Sequence, residues 1–531
     1  MILSWQRVTM QTDHPQTISK SALSFLSGTS LSRVSGMFRD VVTAFCFGSH
    51  PAIAAFMVAF RFSNLLRRLF GEGQMPAGFV PYFEESRKSA PEKGAFFFRD
   101  LLHTVTLFLI LLIAVCELVL FVLWKYGSLS PSGNELLFLT MLMLPGTLFI
   151  CLFGVTSALL QCEKSFFLPG FAPVAFNLVW ISTALLWKKS TPEEAVFALS
   201  LGVILAFAMQ WLMIVPGMIQ YLKQHMTIAL FFKAKIFSVE IRRLLKPVLY
   251  GMVGVGAVQI NTALDALFAR YASLEGPAYL WYAIRMEQLP LALFGVALAS
   301  ALLPPLARTI EEGALEKYRE LLIFALRRSF TWIFPSMMAI FVLGAASVNL
   351  LYGRGDFTAE ATRETLLCLW GYGTGLLPSV FVLLLAPAFY ARKDFRTPMI
   401  GSIYAVVLNI ALNAMMVFML HWGSFSIAIA TSIAAFFNCQ FLARKLSYEI
   451  GPVFSLKLVA SFAKVAFCVM LAGVITLLIG HFLTNDPTLS VILGEPADFT
   501  RSTLDQLLQF FVLTGSFALI LFSYGWMIRA H

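Results

Sequence analysis

Residues 101–124 read LLHTVTLFLILLIAVCELVLFVLW, with Glu117 the one acidic residue in the run. A helix of this length rises about 36 Å and crosses a hydrocarbon core of about 30 Å. The same pattern recurs down the chain. Further spans are expected at 136–160, 166–187, 195–222, 247–270, 278–303, 330–351, 365–390, 398–421, 424–443, 458–481 and 507–528. Composition agrees. Of the 531 residues 59% are hydrophobic and 13% charged, and mean hydropathy is +0.79. Soluble domains are about 25% charged, and a single soluble core stops growing near 250–300 residues, roughly half this length. A soluble multidomain chain and a disordered chain are both excluded.

Two more helices are expected ahead of these, at about 19–47 and 51–70, joined by the turn Gly48–Pro51. They carry Arg33, Arg39, Asp40, Arg61, Arg67, Arg68 and Glu72, so hydropathy alone would pass over them. Val41, Phe45, Phe56 and Leu65 make them apolar enough for spans that face a wet interior. Topology supports both. With the N-terminus cytoplasmic, the inside segments hold roughly threefold more Lys and Arg than the outside ones, as the positive-inside rule demands. Dropping one polar helix would invert the bias. The expected architecture is an all-α polytopic membrane protein of 14 transmembrane helices with both termini cytoplasmic.

The net charge of +10 then reads as loop topology, and no nucleic-acid motif accompanies it. The seven Cys form no CxxC pair and the seven His no HExxH spacing, so neither a disulfide framework nor a zinc site is expected. The first 20 residues lack the layout of a signal peptide and read as an uncleaved cytoplasmic tail. Residues 226–246 alternate apolar and basic residues and predict an amphipathic segment on the membrane surface. Residues 482–506 read as an outer loop.

A weak repeat divides the chain. Phe70-Gly71 precedes Pro81 as Phe294-Gly295 precedes Pro305, an offset of 224. Lys164-x4-Pro169 recurs as Lys393-x4-Pro398, an offset of 229. Two parallel six-helix lobes with two appended helices would produce this pattern. The expected boundaries are 1–222 for the first lobe, 223–246 for an amphipathic linker, 247–450 for the second lobe, and 451–531 for the C-terminal pair.

Charges inside spans carry the functional signal. Each costs roughly 2.5–3.5 kcal/mol at the bilayer centre and needs a partner or a wet cavity. Arg33, Gly36 and Asp40 share a face of helix 1; Arg61, Asn64 and Arg68 share a face of helix 2, with Glu72 following at i+4; helix 8 carries Arg285, Glu287 and Gln288. One reading makes Arg39–Asp40 and Arg68–Glu72 structural pairs near helix ends, where Arg snorkels. The other follows from the excess of Arg over acid in these three helices. Unneutralised guanidinium groups require an anion, and their planar fork suits carboxylate or phosphate. Arg33, Arg39, Arg67 and Arg285 are the expected contacts. A second group, Asp265, Asn409, Asn413 and Thr431, offers oxygen ligands of the kind Na⁺ accepts. The alternative there is hydrogen bonding between helices. Gly28, Gly36, Pro378 and Pro387 mark points where helices can flex.

Several motifs are familiar. SRVSGMFRD (32–40), FMVAFRFSNLLRRLFGEG (56–73), FVP (79–81), YAIRMEQLPLALFGVALASALLPPLAR (282–308) and APAFYARKDFRTP (386–398) closely resemble the MurJ/MviN family. The resemblance covers about residues 20–450. It implies a place in the multidrug/oligosaccharidyl-lipid/polysaccharide exporter superfamily. It also implies a V-shaped cationic cavity between two lobes, with a lipid-tail groove on the last two helices. The implied activity is flipping of lipid II, the undecaprenyl-pyrophosphate-linked peptidoglycan precursor, across the bacterial cytoplasmic (inner) membrane by alternating access. The family's essential arginines fall on Arg33, Arg39, Arg67 and Arg285; Asn64 and Glu72 match as well. The Na⁺ site of some members falls on Asp265, Asn409, Asn413 and Thr431. The resemblance implies no cofactor beyond such a coupling ion. It implies a monomer among membrane lipids that works beside the cell-wall synthesis machinery. Ile284 and Gln288 replace two acids of the usual helix 8 motif, with Glu287 one position away, and Ala54 replaces an Asp. Rival readings are a flippase for another polyprenyl-linked glycan, a multidrug exporter, and an integral membrane glycosyltransferase. The last would want a DxD motif in an outer loop, and the chain has none.

Overall fold

A computed structural model of the chain describes residues 15–68 and 74–529. It is 85% helix, with no strand among the described residues. The first helices are α1 (Pro15–Phe47), α2 (Pro51–Leu66), α3 (Gln74–Ser89), α4 (Pro91–Tyr126), α5 (Pro131–Met143), α6 (Gly146–Cys162), α7 (Phe167–Phe171), α8 (Pro173–Leu186), α9 (Pro192–Leu212), α10 (Val215–His225) and α11 (Ile228–Phe231). They are followed by α12 (Val239–Ala272), α13 (Gly276–Pro290), α14 (Ala297–Glu311), α15 (Leu315–Tyr352), α16 (Ala359–Ala391), α17 (Arg396–Ala414), α18 (Phe425–Ile450), α19 (Leu456–Thr484), α20 (Thr488–Leu493) and α21 (Thr503–Arg529).

Among the described residues 10 helical stretches are long and apolar enough to cross a membrane, or 11 when the bent pair α5–α6 counts as one. The bend of 44° falls at Leu144–Pro145. Pro145 has no N–H to donate and its ring displaces the preceding turn, so the helix breaks there. Helices α1, α2 and α12 stand where the first, second and seventh spans are expected, but are not among the 10. Pro378 and Pro387 do not interrupt α16, which runs unbroken for 33 residues.

The chain divides into two compact units, one of residues 1–40 and 62–256, the other of 41–61 and 257–531. The boundaries fall inside α1, α2 and α12. In the first unit the core gathers Phe79, Phe83 and Phe98, all fully buried, with α4, α6 and α10 around them. Beside it, Arg87 reaches Glu84 and Glu163. Burial works against its charge, but the two carboxylates outweigh that and push its pKa up.

The segment after α10 differs from its expected single amphipathic helix. Only Ile228–Phe231 is helical before α12 begins at Val239. A clamp on α4 explains the break. Arg99 donates to Asp100 through Nε and Nη2 (2.8 and 2.6 Å) and to the Leu230 carbonyl through Nη1 (2.8 Å). Asp100 also accepts the Lys235 N–H at 3.0 Å, and Thr104 Oγ1 accepts the N–H of Phe237. Phe237 sits at φ 55°, an uncommon conformation for a bulky residue. The expected apolar–basic pattern is present, and Ile228, Phe232 and Val239 are exposed along it.

In the second unit α16 and α18 approach closely because Gly371 and Gly375, one turn apart, face Ala428 and Ser432. Ser432 Oγ donates to the Gly371 carbonyl at 2.7 Å. Small residues at this spacing let helix backbones meet. The turn between α1 and α2 is anchored in the same unit: Tyr282 Oη donates to the Gly48 carbonyl (3.2 Å), the Asp356 N–H to Phe45 (3.2 Å), and Arg270 to Pro51 (2.7 Å).

The repeated Lys-x4-Pro motifs share one backbone geometry. Lys164 (φ 57°) and Lys393 (φ 62°) are both left-handed. Each N–H bonds three residues back, to Gln161 or Tyr390, and the next N–H bonds five back, to Leu160 or Phe389. This is a Schellman closure with Lys in place of the usual Gly. After the second, Asp394 accepts the Arg396 and Thr397 N–H groups at 3.0 Å. Burial raises the Asp394 pKa, but those bonds outweigh it and the net shift is downward. The outer segment 482–506 is not all loop. Asp486 accepts the Thr488 N–H at 2.9 Å at the start of α20, and left-handed Gly494 ends it.

Gly48 has φ +56°, and a Cβ there would overlap the Asp356 carbonyl. Gly48→Ala is expected to cost ~1–3 kcal/mol, visible as a lower thermal midpoint in detergent. An unchanged midpoint would show that the turn relaxes freely.

Candidate functional site

Arg39 arises on α1 and is 7% exposed. Its Nε and Nη2 donate to Asp40 Oδ1 at 3.0 and 2.7 Å, and its Nη1 donates to Asn177 Oδ1 at 3.1 Å. The guanidinium carbon lies 4.8 Å from the Trp180 ring centre. Asn177 is itself held, because its Nδ2 donates to Ser35 Oγ at 2.9 Å. The arrangement repeats that of Arg99–Asp100, down to the sequence Phe-Arg-Asp at 38–40 and 98–100. So Arg39 is a buried, paired cation. Asn177 and Trp180 are site residues that the sequence did not point to, because they lie about 140 positions away on α8.

Arg33 lies on α1 and is exposed; among the described residues it makes no ion pair. Asn64 is half-buried near the end of α2, and Arg67 follows it in a π-helical turn at 67–68. Glu72, expected to join them, lies outside the described residues. The repeat offset of 224 carries Arg67 to Leu291, where a second π segment, Leu291–Val296, begins. Such π turns are rare and frequent at functional sites. The same offset carries Arg61 to Arg285.

Those two arginines meet in the second unit. The Arg285 and Arg61 guanidinium carbons lie 4.6 and 5.6 Å from the centre of one indole ring, Trp281. Trp281 is 5% exposed and packs edge-on against Phe60 at 5.9 Å. Arg61 Nη1 also donates to the Thr262 carbonyl at 3.3 Å. Glu287, two residues beyond Arg285, is buried but forms no ion pair among the described residues. Ala54 is buried, whereas Gln288 is exposed.

One helical turn from that carbonyl, Asp265 gathers the second predicted group. Its Oδ1 accepts from Asn409 Nδ2 at 2.8 Å and Asn413 Nδ2 at 2.7 Å. Its Oδ2 accepts from Asn261 Nδ2 at 3.3 Å and Thr431 Oγ1 at 3.5 Å. Asn409 and Asn413 sit at i, i+4 on α17, which puts both amides on one face. All four predicted residues therefore converge on one carboxylate, with Arg61 near enough for its charge to act on it. The amide oxygens Oδ1 of Asn409 and Asn413 are buried and lack a hydrogen-bond partner among the described residues. Turning either amide over would present an oxygen beside the carboxylate, so the donor set fits a small hard cation.

The fold and site together define a many-helix membrane protein with cations buried among its helices. Its fold matches an inward-facing multidrug MATE transporter of the MOP superfamily, with TM-score 0.63 at 14% identity over 83% of this chain and 99% of that one. It matches the lipid II flippase MurJ in an inward closed conformation more closely, with TM-score 0.74 at 24% identity over 96% and 99%. The family model "Lipid II flippase MurJ" matches residues 43–493. The chain is 32% identical to the probable lipid II flippase MurJ of Chlamydia muridarum, over 98% of this chain and 96% of that one. It is 31% identical to the one from Vibrio cholerae, over 81% and 83%. The chain belongs to the MurJ lipid II flippase family.

Removing Asp40 alone leaves a buried guanidinium without its counter-ion, so Asp40→Ala is expected to cost ~3–5 kcal/mol of stability. Replacing both partners, as Arg39→Met with Asp40→Leu, should restore most of that loss in a thermal melt. A double variant no more stable than Asp40→Ala would refute the pairing.

Proposed function

We propose that this chain moves lipid II from the cytoplasmic to the outer leaflet of the bacterial inner membrane by alternating access. The observation that carries the reading is the pair Arg61 and Arg285 on one buried indole. Two guanidinium forks held at one ring offer a diphosphate paired donors for its oxygens. Arg forks hold phosphate oxygens in pairs and stay charged at any physiological pH. Membership of the MurJ family supports lipid II over another polyprenyl-linked glycan, a drug or a sugar-transfer reaction.

In this reading Arg33, Arg39, Asn64, Arg67, Glu72 and Arg285 bind the headgroup. Arg39 reaches it by exchanging its bond to Asn177 while Asp40 keeps it charged. The polyprenyl tail stays in lipid. Helices α1, α2 and α12 complete a set of 14 spans with both termini cytoplasmic, and the chain works as a monomer beside the cell-wall machinery. Transport makes and breaks no covalent bond. Asp265, Asn409, Asn413 and Thr431 would hold a Na⁺ ion, with the carboxylate and side-chain oxygens as its ligands.

Two experiments test this. In a strain depleted of its own lipid II flippase, the wild-type chain is expected to restore growth. Arg285→Ala and Arg33→Ala should fail at equal expression, and Arg285→Lys should restore growth poorly because an ammonium lacks the fork. Full growth with both alanine variants would remove these arginines from the mechanism. For the cation, Na⁺ should raise the melting temperature of the purified protein relative to K⁺, and Asp265→Ala should abolish the difference. An equal Na⁺ effect in Asp265→Ala would place the ion elsewhere.

A further inference from the structure

Outside the charged clusters, a groove of about 610 Å³ opens between α17 and α18. That volume is typical of sites for small ligands, about 300–1,000 Å³. Its chemistry changes along its length. Leu408 on α17 and Ile433 and Phe437 on α18 line the apolar end, Gln440 follows, and Arg444 and Lys445 close the other end. On α18 the positions 433, 437, 440 and 444 fall on one helical face. From Ile433 to Arg444 the helix rises about 16 Å, close to half the thickness of a hydrocarbon core. The basic end therefore stands at headgroup depth when the apolar end stands near the bilayer centre. Tyr448, 87% exposed, lies beside it, as aromatic residues do at membrane interfaces.

The groove carries an uncompensated positive charge. No acidic side chain lines it. Among the described residues neither Arg444 nor Lys445 forms an ion pair, and Glu449 farther along α18 is held by Arg392. A zwitterionic lipid would bring its own cation against these two. A net-anionic phospholipid matches both ends of the groove.

We propose that the α17–α18 groove binds one anionic phospholipid, with an acyl chain along Leu408, Ile433 and Phe437 and the phosphate on Arg444 and Lys445. Basic pockets between helices on the cytoplasmic side of a membrane hold anionic headgroups in this way. The site is separate from the arginines assigned to the transported headgroup and does not depend on that assignment.

The test is native mass spectrometry of the full-length protein, titrated with phosphatidylglycerol and with phosphatidylcholine. The wild-type chain should retain phosphatidylglycerol in preference to phosphatidylcholine. Arg444→Gln with Lys445→Gln should weaken that binding about tenfold. Leu408→Trp keeps the charges but fills the groove, and should weaken it as well; Arg327→Gln with Arg328→Gln, basic residues of α15, should not. Equal retention of the two lipids, or no change in either groove variant, would overturn the proposal. Competition by inorganic phosphate would reduce the site to free-anion binding. Displacement by an equimolar amount of lipid II would reassign it to the substrate. Because occupancy is read and transport is not, failure of the flippase reading leaves this result standing.

Discussion

Placing charge where the membrane would exclude it is the constraint from which the rest of this structure follows. Each ionised group at depth costs several kcal/mol unless it is matched. The chain meets that cost in three ways. Arg39 and Arg99 each take the carboxylate of the next residue and one further acceptor. Asp265 is surrounded by amides and a hydroxyl, with the charge of Arg61 nearby. Arg61 and Arg285 share an aromatic face.

The two repeated motifs reuse one local backbone geometry. The same left-handed lysine closes α6 and α16, and the same π turn follows α2 and α13. At the two closures the ion pairs exchange signs: Glu163 is met by Arg87, whereas Arg392 is met by Glu449. The geometry is kept while the charge is free to vary.

Much of this was legible in the sequence, and the exceptions have physical causes. Long apolar runs announced most helices, because a span must satisfy its backbone internally. The convergence of Asp265, Asn409, Asn413 and Thr431 was readable because polar residues in apolar helices have few places to go. The partners of Arg39 were not readable. Asn177 and Trp180 look like ordinary members of an apolar helix, and only folding brings them to α1. The linker break at Phe237 was hidden for a similar reason: the amphipathic period favours a helix, but Asp100 and Thr104 on α4 capture its backbone N–H groups. The bend at Pro145 and the short helix α20 were not legible either: the sequence predicts 136–160 as one span and 482–506 as a loop. An apolar run hides its break, and a six-residue helix carries too few residues to show a period.

The central claim is that arginines inside the spans recognise a diphosphate. Its most direct test is an equilibrium affinity, measured on the purified protein, for lipid II and for an analogue whose diphosphate is replaced by an uncharged linker. The account predicts at least a tenfold preference for the diphosphate, about 1.4 kcal/mol, that disappears in Arg285→Gln. Equal affinities in the wild-type protein, or a preference that survives Arg285→Gln, would contradict it.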